Sequence, residues 1–194
     1  MAEKATPPRR QRADARQNTA ALLEAARDVF LTTGVDAPAK EIADRAGVGV
    51  GTLYRHFPQR SDLVKAVFRD QVDACAAMAA DLAAQYPPGE ALQRWLHRFT
   101  EFLGAKRGLG PALHSGDPAY GALPGYFLEK FGPALGSLLE AAEKAGEVRQ
   151  GVAPEELLYA VAGLCAPLEG HGPGYSQRML ALLIDGLRYG AASS

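Results

Sequence analysis

A chain of 194 residues with a formal net charge of −1 is long enough to bury a sizeable core, as one unit or two small subdomains, and is not a polyelectrolyte. Its first residues are polar and basic with no apolar segment, and no uninterrupted apolar run approaches a membrane span, so the sequence is read as cytoplasmic. There is no HExxH, GxSxG, GxxxxGKS or CxxC, which argues against an enzyme and leaves no cofactor to expect.

Charge is uneven along the chain. Residues 1 to 60 hold ten Lys or Arg against seven Asp or Glu, a balance of +3, so the remainder carries −4. The positive field therefore sits at the amino-terminal end, where a nucleic acid would be met. Residues 1–14 read as a disordered basic arm in which Pro7 and Pro8 oppose helix and Lys4, Arg9, Arg10 and Arg12 supply charge, with Arg16 just beyond. Two readings stay open for the arm, a solvated tail or a strand that follows DNA phosphates or enters the minor groove.

From Ala20 to Phe30, Leu22, Leu23, Ala26, Val29 and Phe30 make a helical stripe closed by Gly34. A second helix follows, with Ile42, Ala43 and Ala46 on one face and Lys40, Glu41, Asp44 and Arg45 on the other. Gly47 ends it, because a glycine past the last periodic residue takes the left-handed conformation at little cost, and Val48 plugs the angle that results. The third helix starts near Gly49 or Val50 and needs only Leu53 and Phe57 as anchors, before Pro58 stops it. Gly51, Thr52, Tyr54, Arg55 and His56 are left for a partner. They supply a bare backbone site, a hydroxyl, a phenol, a guanidinium and an imidazole, which suit phosphate oxygens and base edges. Two short helices joined at a glycine occur in many folds, so the geometry alone leaves DNA binding and ordinary packing both open.

Leu63, Val64, Val67, Phe68, Val72, Cys75 and Met78 continue one stripe over residues 61–85, a long connecting helix that the breaker Pro87-Pro88-Gly89 ends. Leu92, Trp95, Leu96, Phe99, Phe102 and Leu103 then make a strongly aromatic helical face. A long loop from Gly104 to Pro124 holds His114, Asp117 and Tyr120. Tyr126, Phe127, Phe131, Leu135, Leu138 and Leu139 mark a further helix, with a kink or break expected at Pro133. Pro154 opens the next helix ahead of Glu155 and Glu156, at the positive end of its dipole. Its apolar positions run from Leu157 to Leu168, and a last helix from about Ser176 to Tyr189 carries Met179, Leu180, Leu183, Ile184 and Leu187. The two cysteines, Cys75 and Cys165, lie far apart on apolar faces and read as buried reduced thiols.

The string Glu41-Ile42-Ala43, Ala46-Gly47-Val48, Gly51-Thr52-Leu53-Tyr54 and His56-Phe57 resembles the amino-terminal signature of the tetracycline-repressor (TetR) family of bacterial transcription regulators. The match is specific over roughly residues 15 to 70 and only architectural beyond. It implies an all-α fold, with a three-helix helix-turn-helix head over 15–60 and a helical effector-binding and dimerisation body over 61–194. The implied partners are a double-stranded DNA operator, a second copy of the chain and a small, largely apolar effector, with no membrane and no metal.

By resemblance and by chemistry, Arg12, Arg16, Lys40, Gly51, Thr52, Tyr54, Arg55, His56 and Arg60 form the DNA-binding set, Arg55 being the expected source of specificity. The effector cavity that such bodies enclose would draw on Trp95, Phe99, Phe102, Leu103, His114, Tyr120, Tyr126, Phe127 and Phe131, against the plainer reading of an aromatic core. The dimer interface would use Leu158, Val161, Cys165, Leu180, Leu183, Ile184 and Leu187. Effector binding would move the long helix that begins near Arg60 and relieve repression. Rival readings are a ligand-independent DNA-binding regulator with a filled body and a metal sensor using His97, His114 or His171. Two departures from the family pattern stand out: Gly49 where a capping serine is common, and Pro38 where threonine is frequent.

Overall fold

The computed structural model describes residues 9–105, 109–113, 115–164 and 174–189. Among these the regular structure is helical: α1 Arg9–Thr32, α2 Ala39–Arg45, α3 Val50–His56, α4 Arg60–Gln85, α5 Pro88–Ala105, α6 Gly110–Leu113, α7 Leu123–Lys144, α8 Pro154–Leu164 and α9 Tyr175–Tyr189, with a short 3₁₀ turn at Pro118–Tyr120. The all-α expectation holds.

Two compact units divide the chain, Met1–Phe68 with Gly108–Tyr120, and Arg69–Arg107 with Gly121–Ser194. The boundary was expected at residue 60. It falls instead inside α4, because the first turns of that helix carry Leu63, Val64, Val67 and Phe68, all buried. The expected long loop is also more structured than its glycines suggest. It shortens to connections around α6 and the 3₁₀ turn, and its middle part, Gly108–Tyr120, belongs to the first unit. At the other end α1 already begins at Arg9, so Arg9–Asp14 are helical and not part of a disordered arm. Pro8 immediately precedes the helix, and a proline opposes helix in the residues before it more than in those after it.

In the first unit Leu22, Ala25, Ala26, Val29 and Phe30 of α1 meet Ile42 and Ala43 of α2 and Leu53 of α3 in a small buried core. Gly34, at φ 89°, ends α1, while the Gly34 N–H donates to the Phe30 carbonyl at 3.1 Å. Gly47, at φ 68°, turns the chain after α2. The Gly47 N–H donates to the Asp44 carbonyl at 3.2 Å and the Val48 N–H to the Ala43 carbonyl at 3.0 Å, the paired bonds of a glycine-terminated helix. Pro38 sits just outside α2 at its amino-terminal cap, so its missing N–H costs no helical bond.

The second unit is built around α5, which packs on α7, α8 and α9. Pro88 opens α5 as the residue type best tolerated there. Trp95, Leu96, Phe99, Phe131, Leu135, Leu158 and Val161 are buried in the core they share. The Trp95 indole N–H donates to the Cys75 carbonyl at 3.0 Å, so the one polar atom of the largest core side chain is satisfied. Burial pushes the Cys75 thiol up to about 12, which leaves it protonated and inert. Pro133 neither ends nor interrupts α7, which runs unbroken from Leu123 to Lys144. Phe131 and Leu135 on either side are fully buried and hold the helix across the missing backbone bond.

Candidate nucleic-acid interface

α3 is a seven-residue helix with a divided surface. Leu53 and the following Phe57 are buried, whereas Gly51, Tyr54 and Arg55 are exposed and Thr52 and His56 half-buried. Tyr54 leaves 54% of its surface accessible, a large phenol with no core role. Arg55 is exposed and forms no ion pair or hydrogen bond among the described residues, so its planar donor fork is uncommitted. A Cβ on Gly51 would meet nothing within 4 Å, so the backbone there is open to close approach. At the start of the helix Gly49 is extended and supplies no side-chain cap, although its carbonyl accepts from the Thr52 N–H at 2.8 Å.

Not every expected contact residue is free in the same way. Arg16 is exposed on α1 and unpaired among the described residues, and Arg12 lies in the first turn of α1 with its side chain outside the described residues. Lys40 is exposed but paired with Asp44 at 2.5 Å, a surface bridge that a phosphate can displace at small cost. His56 is tied to α1, its Nδ1 lying 3.2 Å from the Thr19 hydroxyl.

Arg60 departs from expectation. Its Nε donates to the Val35 carbonyl at 2.5 Å, Nη2 donates to the Ala37 carbonyl, and the guanidinium lies over the Phe30 ring at 5.3 Å. Burial pulls its pKa below the ordinary arginine value, partly offset by Asp36. It therefore holds the turn between α1 and α2 in place, where it satisfies carbonyls that the helix ends leave without partners.

The residues expected to wall an effector cavity pack on one another. Trp95 stacks on Phe99 at 5.5 Å between centroids, Phe131 meets Phe99 and Phe102 edge-on, each at 5.2 Å, and Phe127 meets Phe131 edge-on at 4.8 Å. These are core geometries. Leu103 is half-buried beside them. Tyr126 turns from this cluster to α4: its hydroxyl donates to the Asp73 carboxylate, with O···O distances of 2.6 and 2.7 Å, and that bond raises the phenol to about 12. Arg69 and Lys130 lie over its ring at 5.1 and 5.3 Å. Tyr120 belongs to the first unit, where it borders a cleft of about 280 Å³ with Asp36, Arg60 and Asp117. His114 lies outside the described residues, as do His171 and Cys165, while His97 is half-buried on α5. An open groove of about 650 Å³ runs between α7 and the start of α8. Gly125, Gly132, Pro133, Glu129, Glu155 and Glu156 are among the residues that line it, so its lining differs from the aromatic set.

The residues expected at a dimer interface are mostly committed to the chain's own core. Leu158, Val161, Leu180, Ile184 and Leu187 are buried and only Leu183 is half-buried. The opposite faces of α8 and α9 leave Tyr159, Leu182 and Tyr189 at 60%, 63% and 84% exposure. Sequence reasoning missed that face, as it missed Thr19. The signal for Thr19 was available: it stands one turn ahead of Leu22 and Leu23 on the same helical stripe, a polar group where the pattern is apolar.

Comparison with known proteins agrees with this layout. Residues 22–67 match the family model for bacterial regulatory proteins of the tetR family, and residues 87–189 match that for the carboxy-terminal domain of SbtR-like transcriptional regulators. An HTH-type transcriptional regulator of Staphylococcus aureus is 38% identical over 80 residues, 40% of this chain and 41% of the relative. Solved structures of TetR regulators from Streptomyces coelicolor and Mycobacterium vanbaalenii are each 37% identical, with TM-scores of 0.72 and 0.71, covering 88% and 92% of this chain and 98% and 99% of theirs. A structure described as a gamma-butyrolactone receptor is 27% identical with a TM-score of 0.62, covering 90% of each chain. With a helix-turn-helix signature at one end, a matching helical domain at the other and whole-length structural relatives, the chain belongs to the TetR family of bacterial transcriptional regulators.

Proposed function

We propose that the protein acts in the cytoplasm as a repressor, binding a pseudo-palindromic operator as a homodimer and leaving it when a small, largely apolar molecule enters the body. The observation that carries DNA reading is α3, where two residues hold the helix inside while Tyr54 and Arg55 stand exposed. One such helix reads only a few base pairs, and two related by a twofold axis read both halves of a site. The exposed face of Tyr159, Leu182 and Tyr189 is the surface available for pairing, in place of the buried leucines. The likeness to a gamma-butyrolactone receptor supports an effector of that general size and polarity.

A second reading has one observation on its side. The aromatic rings of α5 and α7 fill the space between them at contact distances, as in a regulator with a filled body and no effector. Selection of bound sequences from a random DNA pool tests the main reading. Two related half-sites whose centres lie a whole number of helical turns apart are expected. Enrichment of no motif, or elution at the mass of a single 20.6 kDa chain in the presence of the selected site, would contradict it. Thermal-shift screening with small lactones and phenols separates the two readings of the body. Stabilisation supports an effector, and a flat response across both classes supports the filled body.

A further inference from the structure

We propose that Thr19 is a positioning residue that sets which nitrogen of His56 carries hydrogen, so that His56 grips a DNA phosphate only by taking up a proton. The inference rests on the DNA-binding reading of α3. The Thr19 hydroxyl lies 2.9 Å from the Ala15 carbonyl, one turn back on α1, and 3.2 Å from His56 Nδ1. A hydroxyl has one hydrogen. A carbonyl can only accept, so the shorter contact takes that hydrogen, and the Thr19 oxygen then accepts from His56 Nδ1–H. In a neutral imidazole with hydrogen on Nδ1, the other nitrogen, Nε2, is a bare lone pair. A lone pair facing a phosphate oxygen repels it. A second proton on Nε2 turns the same atom into a charged donor, which a phosphate binds strongly.

The surrounding charges leave this role to the DNA. Among the described side chains of α1 the ionisable neighbour on the Thr19 face is Arg16, one turn before it, and on α3 it is Arg55, adjacent to His56, both of them cations. α2 packs on both helices and directs its charges elsewhere. Lys40 pairs with Asp44, Arg45 with Asp28 at 3.0 Å, and Glu41 accepts from the Thr33 hydroxyl at 3.3 Å. At the start of α4, Arg60 is committed to the Val35 and Ala37 carbonyls. The charge that draws the second proton onto the ring is then the phosphate itself. Since the bound anion favours the charged form, binding takes up protons and strengthens as pH falls.

The test uses the full-length protein and a mixed-sequence DNA duplex three helical turns long, because phosphates are present whatever the sequence. Calorimetric titration in buffers of different ionisation enthalpy measures proton uptake, and binding is followed between about pH 6 and pH 8, the range in which histidine exchanges protons. Expected for the wild type are uptake on binding and an affinity that falls with rising pH, by at most about tenfold per pH unit for each imidazole. The dependence of log affinity on log salt should also steepen at low pH by about 0.9 per charged imidazole. Thr19→Ser keeps the accepting oxygen and should retain all three effects. Thr19→Val lets the neutral ring donate from Nε2 as well, so uptake should fall and the pH profile become shallower, and His56→Gln removes the titrating group and should abolish both. Binding without proton uptake by the wild type, uptake in Thr19→Val as large as in the wild type, or uptake that persists in His56→Gln overturns the inference while leaving DNA binding intact. No binding to duplex by any of the proteins would overturn the DNA-binding reading and this inference with it.

Discussion

In the first unit the short helix α3 presents Tyr54 and Arg55 to solvent, whereas in the second the long helices α5 and α7 turn their large side chains toward each other. α3 is anchored by Leu53 and Phe57 and tied to α1 through His56 and Thr19, while α5 and α7 bring Trp95, Phe99, Phe102, Phe127 and Phe131 into one ring cluster. The two halves should therefore fail differently. Damage to the second should appear as lost stability, and damage to the first as lost or altered DNA binding in a folded protein.

The largest effect that would break this contrast is in the ring cluster. Phe131→Ala should destabilise the chain by about 3 to 5 kcal/mol, since four rings lose contact with it at once. Denaturant unfolding checks this, and a cost below about 1 kcal/mol would mean the rings surround space instead of filling it.

Arg60→Ala comes next and probes the boundary between the two kinds of residue. As a holder of the Val35 and Ala37 carbonyls it should lower stability by about 1.5 to 3 kcal/mol and weaken binding to every DNA sequence alike. An unchanged melting temperature with a salt dependence reduced by about 0.9 would return it to the role of phosphate anchor.

Tyr126→Phe sharpens the comparison from the other side. The bond to Asp73 is exposed, so its removal should cost no more than about 1 kcal/mol and leave DNA affinity as it was. A loss of DNA affinity with normal stability would show that this link between α7 and α4 acts on the first unit. Gly49→Ser is the smallest change: a capping hydroxyl at the start of α3 should add a few tenths of a kcal/mol, read as a rise in melting temperature.

What was legible in the sequence is what periodicity and backbone chemistry encode. Leu22, Ala26, Val29 and Phe30 lie on one helical face, and a turn after α2 needs the positive φ that Gly47 adopts. The direction of a long side chain is a different matter. Arg60 turns inward because the chain between Gly34 and Pro38 leaves the Val35 and Ala37 carbonyls within reach, and nothing in its own spacing records them. The inward faces of α8 and α9 were hidden for a related reason. Leu158 and Tyr159 are neighbours and both apolar in large part, and residue type does not say which of them faces the chain's own core. Aromatic spacing was ambiguous in the same way, since rings that line a space and rings that fill it occupy the same helical positions.

Sequence specificity should reside in α3, and above all in Arg55. Sequence selection from one random DNA pool, run in parallel with the wild type and Arg55→Ala, should recover the same half-site spacing from both proteins. The variant should lose discrimination worth about 1 to 3 kcal/mol at one guanine in each half-site, while its affinity for non-specific DNA changes little. An unaltered motif in Arg55→Ala, or a uniform loss of affinity with every base preference retained, would contradict the assignment of Arg55 as the residue that reads the operator.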